Sequence, residues 1–60
     1  MLIVKKSIKD NECKVLKFNE FISEIEYFNK IKANRINLNF RLLNHENIFV
    51  KDFTYFLKLN

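Results

Sequence analysis

The chain has 60 residues, a formal charge of +4 and 48% hydrophobic residues, with seven phenylalanines among them. This apolar content excludes intrinsic disorder, because disordered chains are poor in aromatic and β-branched residues. The single cysteine excludes an internal disulfide, and one thiol with one imidazole supplies too few ligands for a structural zinc site.

The N-terminal segment predicts a β-hairpin. Over residues 2–9, apolar side chains that include Leu2 and Val4 alternate with polar ones, which is typical of a half-buried strand. Residues 13–18 predict a second short strand, and residues 10–11 between the two accept turn geometry. Because the chain has no glycine and no proline, we expect its nine asparagines to provide the turn positions that need a positive φ.

Residues 20–33 predict an amphipathic helix. Apolar residues recur there at spacings of three and four, so they share one side of the helix: Phe21, Ile22, Ile25, Phe28 and Ile31. Asn19 is expected to cap the N-terminus through its side-chain oxygen. Asn34 is expected to take the left-handed conformation that ends the helix.

The C-terminal part of the chain predicts two more strands. Residues 36–43 alternate between apolar and polar side chains, which is typical of a half-buried antiparallel strand. The polar residues 44–47 predict a turn. Residues 48–59 predict the last strand, because their Phe-Thr-Tyr-Phe segment has strong β preference. The alternative for residues 52–59 is a short helix capped by Asp52.

Together these elements predict one small α+β domain over residues 1–60. Its order is β-β-α-β-β, with one helix packed on one face of a four-stranded, mainly antiparallel sheet. A domain of this length buries only about 60% of the surface that its unfolded chain exposes, so its core supplies little stability.

No pattern of reactive side chains indicates an enzyme. A chain without glycine cannot form the glycine-rich loops that bind phosphates or dinucleotides. His45 is expected in an exposed turn, and Cys13 is expected to act as a small hydrophobic residue in a strand. We therefore predict no catalytic residues, no metal site and no cofactor.

The sheet face that the predicted helix leaves uncovered is the candidate binding surface. On the predicted strands this face mixes apolar, amide and basic groups, and an exposed tyrosine is expected on the polar side of the helix. The candidate partner-binding residues are Lys5, Tyr27, Asn37, Asn39, Arg41, Leu43, Ile48 and Val50. The alternative is that they form the ordinary open side of a small sheet, because scattered exposed apolar residues are normal.

Size and composition favour a non-enzymatic interaction protein that binds and occludes a larger protein partner. The bias towards residues with A/T-rich codons is typical of many phages and mobile elements. An inhibitor of a host nucleic-acid-processing or defence complex, of the anti-CRISPR type, is therefore one concrete hypothesis. The alternatives are a small basic nucleic-acid-binding or regulatory module and a toxin–antitoxin component. Against nucleic acid, the positive charge is diffuse along the sequence and arginine is scarce.

We expect a cytoplasmic location, in the organism itself or in an infected host cell, and no contact with a membrane. The apolar N-terminal run is too short for a leader peptide, and no segment approaches the ~20 apolar residues of a membrane span. A homodimer at micromolar concentration is also predicted. It would bury apolar residues that a single helix cannot all cover: Ile3, Leu43, Ile48 and Val50.

Overall fold

The computed structural model describes residues 1–59 as four strands and two helices. In chain order these are β1 (Leu2–Ser7), β2 (Cys13–Lys17), α1 (Phe18–Asn29), α2 (Arg35–Leu43), β3 (Ile48–Val50) and β4 (Phe53–Leu57). The strands form one antiparallel sheet in the order β2-β1-β4-β3. The predicted α+β class and four-stranded antiparallel sheet are confirmed. The order of elements differs, because two helices lie between the hairpins instead of one.

The two hairpins of the chain join at the centre of the sheet. β1 pairs with β2 on one side and with β4 on the other, and each pairing spans five residue pairs. The predicted N-terminal hairpin is present, with strands at Leu2–Ser7 and Cys13–Lys17 rather than at residues 2–9 and 13–18. Asn11 in the connection has a φ of 61°, as expected for an asparagine in a turn.

Helix α1 begins directly after β2, earlier than predicted. Its N-cap is Lys17, whose backbone N–H donates to Oε1 of Glu20 at 2.7 Å. This bond satisfies one backbone donor at the start of the helix through a carboxylate in its first turn. The prediction that Asn19 caps the helix is therefore wrong, because Asn19 already lies inside it.

Helix α1 also ends earlier than the predicted range of 20–33. Lys30 takes the left-handed conformation, with a φ of 58°, and its N–H donates to the Glu26 carbonyl. A left-handed residue at this position stops helix propagation. The prediction that Asn34 provides this stop is wrong, because Asn34 belongs to the start of the next helix.

The prediction of a strand over residues 36–43 is wrong, because this segment forms helix α2. The Asn34 side chain accepts a hydrogen bond from the Asn37 N–H at 3.0 Å and so caps the helix. An alternating apolar pattern also contains pairs four residues apart, and Leu38 and Leu42 are such a pair, buried on one side of α2. A short segment in which apolar and polar residues alternate can therefore also form a helix. Such a helix has apolar residues on two opposite sides.

The prediction of one strand over residues 48–59 is also wrong, as is the alternative of a helix capped by Asp52. The segment is a tight hairpin in which β3 and β4 remain paired up to Val50 and Phe53. Lys51, the first of the two residues in the turn, has a φ of 54°. The chain therefore makes a turn that usually contains glycine without having one.

Positive φ values occur at Asn11, Lys30, His45 and Lys51. The expectation that asparagines provide these positions is therefore correct only at Asn11. The left-handed region costs a residue with a Cβ roughly 1–2 kcal/mol, so the other three positions store strain that the surrounding structure must offset.

Replacing Lys51 with glycine is expected to raise the free energy of unfolding by about 0.5–1 kcal/mol. Glycine removes the steric cost of the left-handed conformation, and its greater freedom in the unfolded chain offsets part of the gain. Urea unfolding followed by circular dichroism measures the change. Lys51→Ala removes the same charge but keeps the Cβ, so it serves as the control. Equal stability of the two variants would contradict the prediction.

Both helices pack on the same face of the sheet. The core comprises eight buried residues from both helices and from strands β1, β3 and β4: Ile3, Phe21, Ile22, Ile25, Leu38, Leu42, Ile48 and Tyr55. The expectation that Ile3 needs a second chain to bury it is therefore wrong. Leu2, Ile3 and Val4 are all apolar, so β1 by itself is compatible with either face, and its pairing with the two neighbouring strands decides which side is buried.

The predicted apolar side of α1 is confirmed over most of its length. Phe21, Ile22 and Ile25 are buried. Phe28 is half-buried and stacks on an aromatic ring of β4, with 6.0 Å between the ring centroids. Ile31 was predicted on the same side but is exposed, because it lies beyond the end of the helix.

Candidate interaction surfaces

The face of the sheet opposite the helices, here called the open sheet face, is rich in apolar side chains. Directly paired residues of neighbouring strands point to the same face, so the strand register identifies its members. The apolar ones are Leu2, Val4, Val15, Phe49 and Phe56. The polar ones are Lys6, Cys13, Lys17 and Thr54. No element described in residues 1–59 covers this face, and the Phe49 side chain on it is 68% exposed.

A second apolar surface lies on the outer side of α2. Ile36, Phe40 and Leu43 are 81%, 66% and 53% exposed, respectively. Their spacing of four and three residues aligns them along one side of the helix, opposite the buried Leu38 and Leu42. We call these three residues the α2 ridge.

Three of the eight predicted partner-binding residues lie on the helix-covered face of the sheet. Ile48 is buried in the core and Val50 packs against it, so their prediction as surface residues is wrong. Lys5 lies on the same face, where its Nζ is 2.7 Å from Oε1 of Glu24 on α1 and 4.1 Å from the centroid of the Phe53 ring. These contacts give Lys5 a role in holding α1 on the sheet.

The other predicted residues lie on the helices. Asn37, Asn39 and Arg41 are on α2 and not on a strand, so they do not share the flat sheet face predicted for them. Arg41 donates from Nε to Oε1 of Glu46 at 3.0 Å. Leu43 is in the α2 ridge, and Tyr27 is exposed on α1, as predicted for its ring. The sequence pattern that identifies the ridge is the apolar triplet at i, i+4 and i+7, which becomes visible once the segment is known to be a helix.

The Glu24 carboxylate on α1 joins this helix to the sheet. The buried Tyr55 hydroxyl donates to Oε1 of Glu24 at 2.8 Å, and Lys5 contacts the same oxygen. Burial, followed by the hydrogen bond and the charge of Glu24, raises the pKa of the Tyr55 hydroxyl above its usual range. A hydroxyl that stays protonated at neutral pH is a donor to the carboxylate and stabilises the packing of the helix.

The raised pKa of Tyr55 predicts a loss of stability in alkaline solution. The unfolded tyrosine ionises near pH 10, and the folded one ionises above that. The stabilisation is therefore complete below about pH 10 and is lost as the pH rises towards the folded-state pKa, by up to about 1.4 kcal/mol per pH unit. Urea unfolding of the wild type and of Tyr55→Phe across this range isolates the contribution. Parallel pH profiles for the two proteins would contradict the prediction.

The reactive side chains do not converge on a site. Cys13, expected to behave as a small hydrophobic residue, is exposed on the open sheet face, and His45 is exposed in the turn after α2, as predicted. Within residues 1–59 no group of three or more His, Cys, Asp or Glu side chains is placed to hold a metal ion. Over the same residues, neither helix has the length and apolar character needed to cross a membrane. Comparison of the chain with protein-family models, with curated proteins and with solved structures gave no match.

Proposed function

We propose that the chain is a non-enzymatic binding protein that inserts the α2 ridge into an apolar groove of a larger protein and thereby occludes that groove. The observation that carries this proposal is the exposure of Ile36, Phe40 and Leu43 along one side of a helix whose other side is already buried. Helices that dock in grooves use anchors at i, i+3 or i+4, and i+7, and the ridge has this spacing.

The size of the apolar surface supports a binding role. Fully burying one side chain of this type contributes about 1.5–3 kcal/mol, so three adjacent ones are a substantial driving force. In the isolated chain, more than half of the surface of each of these three side chains is exposed to solvent. A small protein gains little stability from three exposed apolar residues on one helix, whereas a partner groove would remove all of them from water.

The charged groups near the ridge are occupied by contacts within the chain. Arg41 pairs with Glu46 at 3.0 Å. Arg35 hydrogen-bonds the Asn19 side chain and lies over the Phe18 ring, 5.5 Å from its centroid. The ridge is therefore not interrupted by free charges, which matches the depletion of charged residues at the centres of protein interfaces. We infer a partner groove that is apolar at its centre and neutral at its rim.

The more specific hypotheses from sequence stay predictions. They comprise inhibition of a host nucleic-acid-processing or defence complex of the anti-CRISPR type, a phage or mobile-element origin, and a toxin–antitoxin role. No contact in the fold distinguishes among them. Capture experiments should therefore begin with extracts of candidate host cells rather than with one chosen complex.

Phe40→Ser tests the proposal. Truncating a central anchor of an interface costs at least about 2 kcal/mol, which is roughly a 30-fold loss of affinity. We expect a protein retained by the immobilised wild type to be lost with Phe40→Ser, and the loss to be quantified by calorimetry with the purified partner. Val15→Thr, a change on the open sheet face, is the matched control and should bind as the wild type does. Equal binding by all three proteins would refute a role for the ridge.

The predicted homodimer needs a different interface from the one first expected. Ile3 and Ile48 are buried within one chain, and Val50 packs on the core, so only Leu43 of the four residues is exposed. Light scattering across a dilution series measures the mass in solution. A dimer that dissociates on Phe40→Ser would show that a second copy occupies the ridge, against our proposal of a larger partner.

A further inference from the structure

The charged residues of the open sheet face are all positive. Lys6 on β1 and Lys17 on β2 belong to it, and no Asp or Glu does. Lys58 follows β4, donates its backbone N–H to the Leu2 carbonyl and, by alternation from Phe56, lies on the same side. The open sheet face therefore has a local positive charge. This charge is not evident from the sequence, along which the basic residues are spread evenly.

The acidic side chains near the sheet are engaged in contacts within the chain. Glu20, in the first turn of α1, accepts a hydrogen bond from the Lys17 backbone N–H at 2.7 Å. Glu24 contacts Lys5 on the opposite face, and Asp52 lies in the β3–β4 turn with its carboxylate 3.3 Å from the Lys9 ammonium. Within residues 1–59, Lys6 and Lys17 form no ion pair. Their charge is available to an anion that approaches the open sheet face.

Two aromatic rings accompany these charges. Phe49 on β3 is 68% exposed, and Phe56 on β4 is half-buried beside the aliphatic centre of the face. Thr54 on β4 pairs with Phe49 on one side and with Lys6 on the other. The three residues therefore form a row across the sheet. Four strands at about 4.8 Å spacing make a face about 14 Å wide, and aromatic residues on a four-stranded sheet can stack two or three bases.

We propose that the open sheet face binds single-stranded nucleic acid. Phe49 and Phe56 stack on bases, while Lys6, Lys17 and Lys58 contact backbone phosphates. Stacking needs an accessible ring, which Phe49 provides fully and the half-buried Phe56 in part. Phosphate binding needs cations that are not already paired, and Lys6 and Lys17 form no ion pair within the described residues. A second copy fits less well, because face-to-face association would bring lysines together with no acid on either side.

Fluorescence anisotropy with fluorescein-labelled oligothymidylate and oligouridylate, each of about 12 nucleotides, tests the site. Affinity should fall linearly with salt on logarithmic axes, with a slope of about −2 for three phosphate contacts. Phe49→Ala should weaken binding about 5- to 150-fold, because one stacking contact is lost. Tighter binding of one probe would identify DNA or RNA as the preferred strand.

Matched variants distinguish binding at the open sheet face from attraction by the overall positive charge of the protein. Lys6→Gln and Lys17→Gln should each reduce the magnitude of the salt slope by about 0.7. Lys32→Gln removes the same charge from the exposed connection between the helices and should leave the slope unchanged. Phe40→Ser on the α2 ridge should also leave oligonucleotide affinity unchanged, so failure of this site and failure of the proposed function are distinguishable. Circular dichroism verifies that each variant is folded.

Several outcomes would overturn the proposal. These are no binding of either probe at low salt, wild-type affinity for Phe49→Ala, or an equal loss of slope in Lys32→Gln and Lys17→Gln. A fourth is a homodimer that binds neither probe and dissociates on Phe49→Ala, which would assign the face to a second copy of the chain.

Discussion

Phe21→Ala is expected to destabilise the protein by about 3–5 kcal/mol, which is as large as the whole stability of a typical domain of this size. Phe21 is fully buried, and its ring lies 5.1 Å from that of Tyr55 and 6.1 Å from that of Phe18, measured between centroids. Truncation removes apolar contacts with both the sheet and the start of α1 and leaves a cavity that neighbouring side chains fill only in part.

Phe49→Ala is the matched control for this prediction, because it deletes the same atoms from the open sheet face. With a ring that is already 68% exposed, we expect a loss below about 1 kcal/mol, mainly from reduced strand preference. Circular dichroism and urea unfolding compare the two proteins. Because Phe21→Ala is expected to unfold, Ile25→Val provides a measurable core change of about 0.5–1.5 kcal/mol. A cooperative transition of Phe21→Ala at the wild-type midpoint would disprove the core assignment.

Glu24→Ala is expected to destabilise the protein by about 2–3 kcal/mol. One carboxylate oxygen of Glu24 accepts from the Tyr55 hydroxyl at 2.8 Å and lies 2.7 Å from the Lys5 ammonium. Hydrogen bonds to charged groups contribute about 1.5–3 kcal/mol, and their loss would leave a buried hydroxyl and a largely buried ammonium without a partner. We expect a large effect for this partly exposed side chain because residues of two strands, Tyr55 on β4 and Lys5 on β1, both contact one oxygen of Glu24.

Asp52→Ala is the control for the Glu24 prediction. It removes the exposed ion pair with Lys9, for which the N–O distance is 3.3 Å, and exposed pairs contribute about 0–1 kcal/mol. A double-mutant cycle with Glu24→Gln and Tyr55→Phe measures the coupling across the hydrogen bond. Equal destabilisation by Glu24→Ala and Asp52→Ala would show that the connection between α1 and the sheet contributes nothing beyond a surface pair.

The sequence predicted correctly those elements in which the spacing of apolar residues fits only one type of secondary structure. The spacing of Phe21, Ile22 and Ile25 fits only a helix, and these residues are buried as predicted. The N-terminal hairpin was also recognisable, because two short strands flank a polar turn. Local signals suffice for α1 because its period also identifies its buried side. For the hairpin they identify the two strands but not the side of β1 that is buried.

The sequence predicted the candidate binding surfaces less well than the elements of the fold. The exposed ring of Tyr27 and the exposed Leu43 were anticipated. The α2 ridge was missed because Ile36 and Phe40 were assigned to a strand. An uncovered sheet face was predicted as the binding surface, but none of the residues predicted for it lies on the open sheet face. That face includes the exposed Phe49 instead.

What the sequence alone determined is the α+β class, the helix after the first hairpin and the identity of the residues able to form a core. What only the tertiary structure decided is which side is buried in the segments that are apolar on both sides. Leu2, Ile3 and Val4 are apolar on both sides of β1, and α2 is apolar on both sides of a helix. Where both sides of an element are apolar, pairing and packing with the rest of the chain select the buried one. The side not selected, on the sheet and on α2, provides the two surfaces proposed for binding.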